Sequence, residues 1–399
     1  MDDLLKVAPG DLPGAEDRFD RLRRIRWWRQ DRLREARVLV VGAGALGNEI
    51  VKNLALLGVG NLLIADRDNI ENSNLSRSVL FREGDNGKRK SEVAAREAQE
   101  LFPGMRVQWF HGNAATALGL GVYRWADIVI GGLDNRETRL AVNASALRAG
   151  VPWVDGAIEE LNGVMRFFAP GEGACYECTM NEADWQMVHR RRACSLLTRE
   201  EMLGGRVPTT PTTASIVAGM QVQEAVKYLH GLPVLAGKGV QFNGHTHDTY
   251  VIEYARKADC PAHEAWDPVV ELPWGTADPT LGELLSRVQG DLGAGAHIEL
   301  AQEFVVALDC GACGKKDAFF GPLDGVPEEK ATCPGCGGLR APELTHVVRG
   351  EEPFLDLCPA EIGVPPYDLV LGRAGERKRA YAFAGDREAA LGAAGGNGR

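Results

Sequence analysis

The sequence predicts an α/β protein: a doubly wound, mostly parallel sheet followed by a small C-terminal module. Three observations carry this expectation. Strand-like apolar runs at 38–41, 61–65, 106–110 and 127–131 alternate with helix-period segments. A glycine signature, Gly42-Ala-Gly44-Ala-Leu-Gly47, stands between the first such strand and the first long helix. Beyond residue 264 the composition shifts to Pro, Gly and acidic residues, which marks a boundary.

Bulk properties narrow the class. At 399 residues the chain is too long for one small core. Its 45% hydrophobic and 25% charged content is that of a soluble globular protein. A net charge of −10 argues against nucleic acid or an anionic membrane as the main partner. The start, MDDLLKVAPG, lacks the basic and apolar regions of a signal peptide, and no run approaches the roughly 18 apolar residues of a membrane helix. A cytoplasmic protein is expected. Six of nine cysteines fall in C-x-x-C pairs, which in a reducing compartment reads as metal binding.

The elements follow in order. Residues 1–36 form an N-terminal basic segment, a disordered start leading into a basic helix that contains Trp27 and Trp28. The main domain spans 37–263. Its first helix places Leu46, Ile50, Leu54 and Leu57 on one face, and a helix over 90–102 does the same with Ala94, Ala98 and Leu101. Strands at 152–157 and 163–169 lead into Cys175. An irregular charged crossover covers about 180–210. A long helix over 212–230 ends at Gly231, with Thr209, Thr210, Thr212 and Thr213 capping its start. Strands at 239–243 and 249–254 then reach Cys260. The C-terminal module spans 264–387, and 388–399 is an Ala/Gly-rich disordered tail.

The glycines permit a tight turn and close backbone approach to a phosphate, and the helix N-terminus that follows favours negative charge. Asp66 ends the next strand, where a carboxylate can take ribose hydroxyls. Together these predict a Rossmann-like nucleotide site holding either a dinucleotide or ATP. Asn74, Arg77 and Lys90 narrow the choice. Splitting the α–β bond of ATP requires cations that neutralise the departing pyrophosphate, whereas a redox enzyme has little need of them. Asp134, at the end of a later strand, suits Mg²⁺. The plainer alternative for Arg77 and Lys90 is a solvated surface; their position between two strand-end carboxylates weighs against it.

The ordered set GAGALG, LLIADRD, SNLSR, GKRKSEVA, GGLDNRETR, VPWVDGA and GACYEC resembles the MoeB/ThiF/ubiquitin-activating superfamily over roughly residues 18–263. The resemblance implies that Asp66 binds the adenosine ribose, that Arg77 and Lys90 engage the triphosphate, and that Asp134 binds magnesium, with Arg139 closing its motif. It also implies a homodimer in which an arginine near the N-terminus reaches the partner subunit's ATP. RFDR at 18–21 makes Arg21 the matching residue, with a solvated basic helix as the alternative.

The same resemblance frames the cysteines. Cys175 and Cys178 form one half of a zinc clamp. Relatives complete it with a second C-x-x-C, whereas this chain offers Cys260-Pro-Ala-His263, a Cys₃His set of which His263 is the departure. A second zinc site is expected from Cys310, Cys313, Cys333 and Cys336, whose pairs lie 19 residues apart, as in a zinc ribbon at 305–340. Cys194, in the arginine-rich crossover, matches the thioester cysteine of relatives, and neighbouring positive charge lowers a thiol's pKa. Its alternative is an incidental loop cysteine. Cys358 lacks basic neighbours and a C-x-x-x-x-R cradle, so no in-chain sulfurtransferase is expected.

The expected function is ATP-dependent adenylation of the C-terminal glycine of a ubiquitin-like or sulfur-carrier protein. Thioester formation on Cys194 follows, with handover to a conjugating enzyme or to sulfur transfer. The absence of a sulfurtransferase domain tilts the expectation toward conjugation. The expected cofactors are ATP, Mg²⁺ and two Zn²⁺ per chain. Rivals are adenylation of a peptide, tRNA or small carboxylate, an NAD-dependent oxidoreductase, and a non-catalytic scaffold.

Overall fold

The structure is a computed structural model and describes residues 17–193 and 208–385. The chain begins with α1 (Asp20–Arg23), α2 (Gln30–Glu35), β1 (Arg37–Val41), α3 (Ala45–Leu57), β2 (Asn61–Asp66), α4 (Lys90–Leu101) and β3 (Arg106–His111). It continues through α5 (Leu120–Trp125), β4 (Ile128–Gly131), α6 (Arg136–Arg148), β5 (Trp153–Glu159), β6 (Asn162–Phe168), α7 (Tyr176–Thr179) and α8 (Glu182–Ala193). Then come α9 (Pro211–Leu229), β7 (Lys238–Asn243) and β8 (Asp248–Glu253).

β1 shows how residues make layers. Side chains alternate along a strand, so Val38 and Val40 join one core while Leu39 and Val41 join the other. A strand buried on both faces belongs in a parallel sheet with helices on each side. The first core receives Leu46, Ile50 and Leu54 of α3, Ala94 and Ala98 of α4, and Val217 and Val222 of α9. The second receives Val122 of α5 and Val142 and Ala146 of α6. The sheet order is β3-β2-β1-β4-β5-β6-β7-β8, parallel through β5 and antiparallel beyond it. Strand order reverses between β1 and β4, which opens a crevice at their carboxyl ends.

A second sheet is built from β9 (Val269–Glu271), β10 (His297–Cys310), β11 (Lys316–Gly321), β12 (Arg340–Val348), β13 (Leu369–Ala374) and β14 (Arg377–Ala382). Its covering helix α10 (Leu281–Leu292) starts with a Thr280–Glu283 capping box and buries Leu281, Leu284, Leu285, Val288 and Leu292. The two sheets meet where Leu120, Trp266, Leu369 and Leu371 are buried together. Arg148 lies 4.9 Å over the Trp266 ring and donates to Ala301 O at 2.6 Å.

Two expectations need correction. Trp27 and Trp28 lie between α1 and α2 rather than in one basic helix, and both rings pack on His230, at 5.2 and 5.0 Å. The stretch read as irregular over 180–210 contains α8, which has no apolar stripe; Val188 is buried on it, and Asp184 is held by Arg136 at 3.1 Å. Among the described residues, no helix is long and apolar enough to cross a membrane.

Candidate active site

The glycine turn is built by backbone contact. Gly42 adopts φ 94°, and a Cβ there would lie 2.4 Å from Gly132 O. A Cβ on Gly47 would lie 1.9 Å from Gly42 O, whereas one on Gly44 would meet nothing within 4 Å. Gly42 and Gly47 therefore serve packing, and Gly44 leaves space open above the helix N-terminus. Asn48, fully buried, holds the turn by donating Nδ2 to Ala43 O (2.7 Å) and Gly44 O (3.0 Å) while accepting from Leu80 N.

Asp66 spans two loops: Oδ2 accepts from Ala43 N at 2.6 Å and Oδ1 from Asp68 N at 2.7 Å. Burial pushes its carboxyl above the ordinary value, and the charge of Lys90 with these two amides offsets part of that rise. Lys90 begins α4 and points Nζ at Asp68 Oδ2, 2.9 Å away. Arg77 donates to Ser73 O at 2.7 Å, and Asn74 Oδ1 accepts from Glu71 N at 3.0 Å. Asp134 is exposed, and its Oδ1 accepts from Asn135 Nδ2 at 2.9 Å.

These groups surround one cavity of about 710 Å³. Gly42, Gly44, Asp66, Asn74, Arg77, Lys90 and Asp134 all line it, with Gly47 supporting the turn beneath. The cavity extends from the glycine turn onto one face of β5–β6–β7. Glu159 pairs with Asn162 and Ala157 with Val164, which in turn pairs with Gln241, so these side chains share a face. All five line the cavity. Arg21 is exposed on α1 and does not line its own chain's cavity. Cys194 lies outside the described residues.

Sequence reasoning missed the buried support of this floor. Arg139 donates Nε to Asp155 Oδ1 at 2.9 Å and NH2 to Leu133 O and Gly156 O at 2.6 and 2.9 Å. Arg166 reaches Asp155 Oδ2 at 2.6 Å. Burial pushes the Asp155 carboxyl up, but the two guanidiniums outweigh it and hold it below the ordinary value. Removing one member would leave buried charge uncompensated, at a cost of about 3–5 kcal/mol. The D-N-R-E-T-R motif thus uses its last arginine to brace the sheet.

Both cysteine clusters form. Cys175, Cys178, Cys260 and His263 bring their ligand atoms within 4.8 Å of one another, as do Cys310, Cys313, Cys333 and Cys336. A tetrahedral zinc with bonds of ~2.3 Å separates its sulfurs by about 3.8 Å. The sulfur separations here are 3.8 Å (Cys175–Cys178), 3.6 Å (Cys175–Cys260), 3.5 Å (Cys310–Cys336) and 3.7 Å (Cys313–Cys333). His263 Nε2 lies 3.3 Å from Cys178 Sγ. Both donor sets therefore fit zinc.

A strand–glycine turn–helix unit at a reversal of strand order, with carboxylates and cations around one crevice, places this chain among doubly wound α/β proteins whose ligand crevice lies at the carboxyl ends of the strands. The ThiF family model matches residues 18–262, and the chain belongs to that family. The chain is 28% identical over 218 residues to ubiquitin-like modifier-activating enzyme 5 of Dictyostelium discoideum, covering 50% of this chain and 54% of that protein. It is 38% identical over 154 residues to the sulfur carrier protein adenylyltransferase of Thermus thermophilus, covering 37% of this chain and 57% of that one. The chain spans about half the length of these curated relatives. The crystal structure of E. coli MccB with ATP matches with a TM-score of 0.52 at 23% identity, covering 63% of this chain and 74% of the other, a likeness of fold.

Proposed function

We propose that the chain adenylates the C-terminal glycine of a ubiquitin-like or sulfur-carrier protein. The observation that carries this reading is the single cavity that joins Asp66, Arg77, Lys90 and Asp134 to the open face of β5–β6–β7. Asp66 takes the ribose, and the turn at Gly44 with the N-terminus of α3 receives phosphate. A glycine-ended tail lies along Ala157, Val164 and Gln241, where lack of side chains lets it reach the α-phosphate.

A carboxylate oxygen of the tail attacks the α-phosphorus, the bond to the bridging oxygen breaks, and pyrophosphate leaves. Arg77 and Lys90 stabilise the charge that develops on the leaving group. Asp134, whose only hydrogen-bond partner among the described residues is Asn135, would hold Mg²⁺, which when bound neutralises phosphate charge. Arg21 would act on a second copy's cavity in a homodimer. The Cys194 thiolate then attacks the acyl carbon, AMP departs, and a thioester remains for a conjugating enzyme or for sulfur transfer. Cys194→Ala should spare pyrophosphate exchange and abolish the covalent adduct.

The test is ATP–pyrophosphate exchange with the full chain, with and without a ubiquitin-like partner ending in Gly-Gly. Exchange that needs the intact tail supports the reading. Equal exchange without any partner protein would assign a smaller carboxylate instead.

A further inference from the structure

The loop after β3 forms the wall of the cavity beside Asp66. Gly112, Asn113 and Ala114 line it, and Gly112 N donates to Asp66 O at 3.2 Å. The loop turns at Asn113, whose backbone O accepts from Thr116 N (3.1 Å) and Ala117 N (2.8 Å). Beyond that turn, Leu118 is buried in the second core of the main sheet, and hydrogen bonds to the C-terminal module add further fixed points. Thr116 Oγ1 donates to Asp324 Oδ2 at 2.6 Å. Leu120 N donates to Asp368 Oδ1 at 2.6 Å, and Gly121 N to Tyr367 O at 2.9 Å. Gly119 fits so closely that a Cβ would lie 2.7 Å from Pro366 O.

Asp324 occupies a 3-10 turn, Leu323–Gly325, on the stretch between Cys313 and Cys333. That turn is tied to the other anchor, because Pro322 packs against Gly363, where a Cβ would meet Pro322 Cβ at 2.7 Å. The segment between the two cysteine pairs thus bonds to the loop that carries the cavity wall, two residues beyond its lining residue Ala114. Fixing a loop in advance removes an entropy cost that binding would otherwise bear.

We infer that Asp324, through its hydrogen bond to Thr116, is a positioning residue for the nucleotide, so that the appended module supports ATP binding by holding the cavity wall. This rests on the cavity being the ATP site. The arrangement separates binding from chemistry: neither Thr116 nor Asp324 is near Arg77 or Lys90 in the hydrogen-bond network, so loosening the wall weakens ATP capture without touching the groups that stabilise pyrophosphate.

The test titrates the full chain with ATP and Mg²⁺ by calorimetry, together with nucleotide-free melting and zinc content. Thr116→Val and Asp324→Ala should each weaken ATP by about fivefold, the scale of one lost hydrogen bond. Asp324→Asn keeps an acceptor and should restore most of the affinity. In exchange assays KM for ATP should rise while kcat holds, with melting temperature and zinc content unchanged. Equal ATP affinity in wild type and both variants overturns the inference, as does a loss that merely tracks lower melting temperature or lost zinc. A wild-type chain that binds no ATP would instead defeat the functional reading itself, and this inference with it.

Discussion

Lys90 Nζ lies 2.9 Å from Asp68 Oδ2, so a cation lining the cavity is engaged by a carboxylate that, under the proposed function, an incoming phosphate would displace. The Lys90 side chain is 11% exposed and the Asp68 side chain 48%, so Asp68 can yield to solvent while Lys90 stays in place. Lys90→Met should lower kcat for pyrophosphate exchange by about 10²-fold, the scale of a lost transition-state donor. Asp68→Asn should lower KM for ATP, because the carboxylate bonded to Lys90 no longer competes with phosphate. Steady-state exchange kinetics check both; a higher KM in Asp68→Asn would mean that Asp68 orients Lys90 more than it competes for it.

The glycines should separate by role. Gly47→Ala drives a methyl into Gly42 O and should destabilise the fold, lowering the melting temperature without nucleotide. Gly44→Ala meets no protein atom and should fold as wild type while binding ATP more weakly, because the methyl occupies the approach to phosphate. Thermal melting with and without ATP distinguishes the pair.

Asp368 gives a pH dependence whose sign is fixed by its surroundings. Burial raises its carboxyl to about 6, a rise that its amide bonds and Arg148 only partly offset. A raised pKa means that the native state holds the proton more tightly than the unfolded chain. Its contribution is therefore fully present below about pH 4 and is lost as pH rises through about 6. Asp368→Asn retains an acceptor for Leu120 N and should melt a few degrees higher than wild type at pH 7.5, with the difference vanishing near pH 4. A lower melting temperature at pH 7.5 would show the ionised carboxylate to be net stabilising.

Metal content should divide between the two clusters. The purified chain should carry two zinc ions by elemental analysis. His263→Ala and Cys333→Ser should each remove one, and His263→Cys should keep both, since a thiolate supplies the same coordination position. Retention of both ions in His263→Ala would remove His263 from the ligand set.

Much of the first sheet was legible because the short continuous apolar runs of β1 and β2 and the 3.6-residue spacing on α3 and α4 are local signals. Among the cavity residues, Asp66 and Asp134 were legible because strand ends place functional groups predictably, and Asn74, Arg77 and Lys90 because their motifs resemble those of the superfamily. Asp68 was not, since only the folded loop brings it to Lys90, although the second carboxylate of Asp66-Arg-Asp68 was a signal in plain sight. The Arg139–Asp155–Arg166 group joins a helix to two strands and has no local pattern. α8 escaped because a helix without an apolar stripe leaves no periodicity. The Thr116–Asp324 bond spans 208 positions, a distance across which spacing carries no information.

The central claim is adenylation of a glycine-ended protein tail, and the most direct measurement is the fate of ATP together with the mass of the partner. With the chain, Mg²⁺, ATP and a Gly-Gly-ended ubiquitin-like protein, the account predicts pyrophosphate release and a partner heavier by one adenylyl group when Cys194 is replaced by alanine. Release of ADP and phosphate, or an unmodified partner with ATP intact, would contradict it.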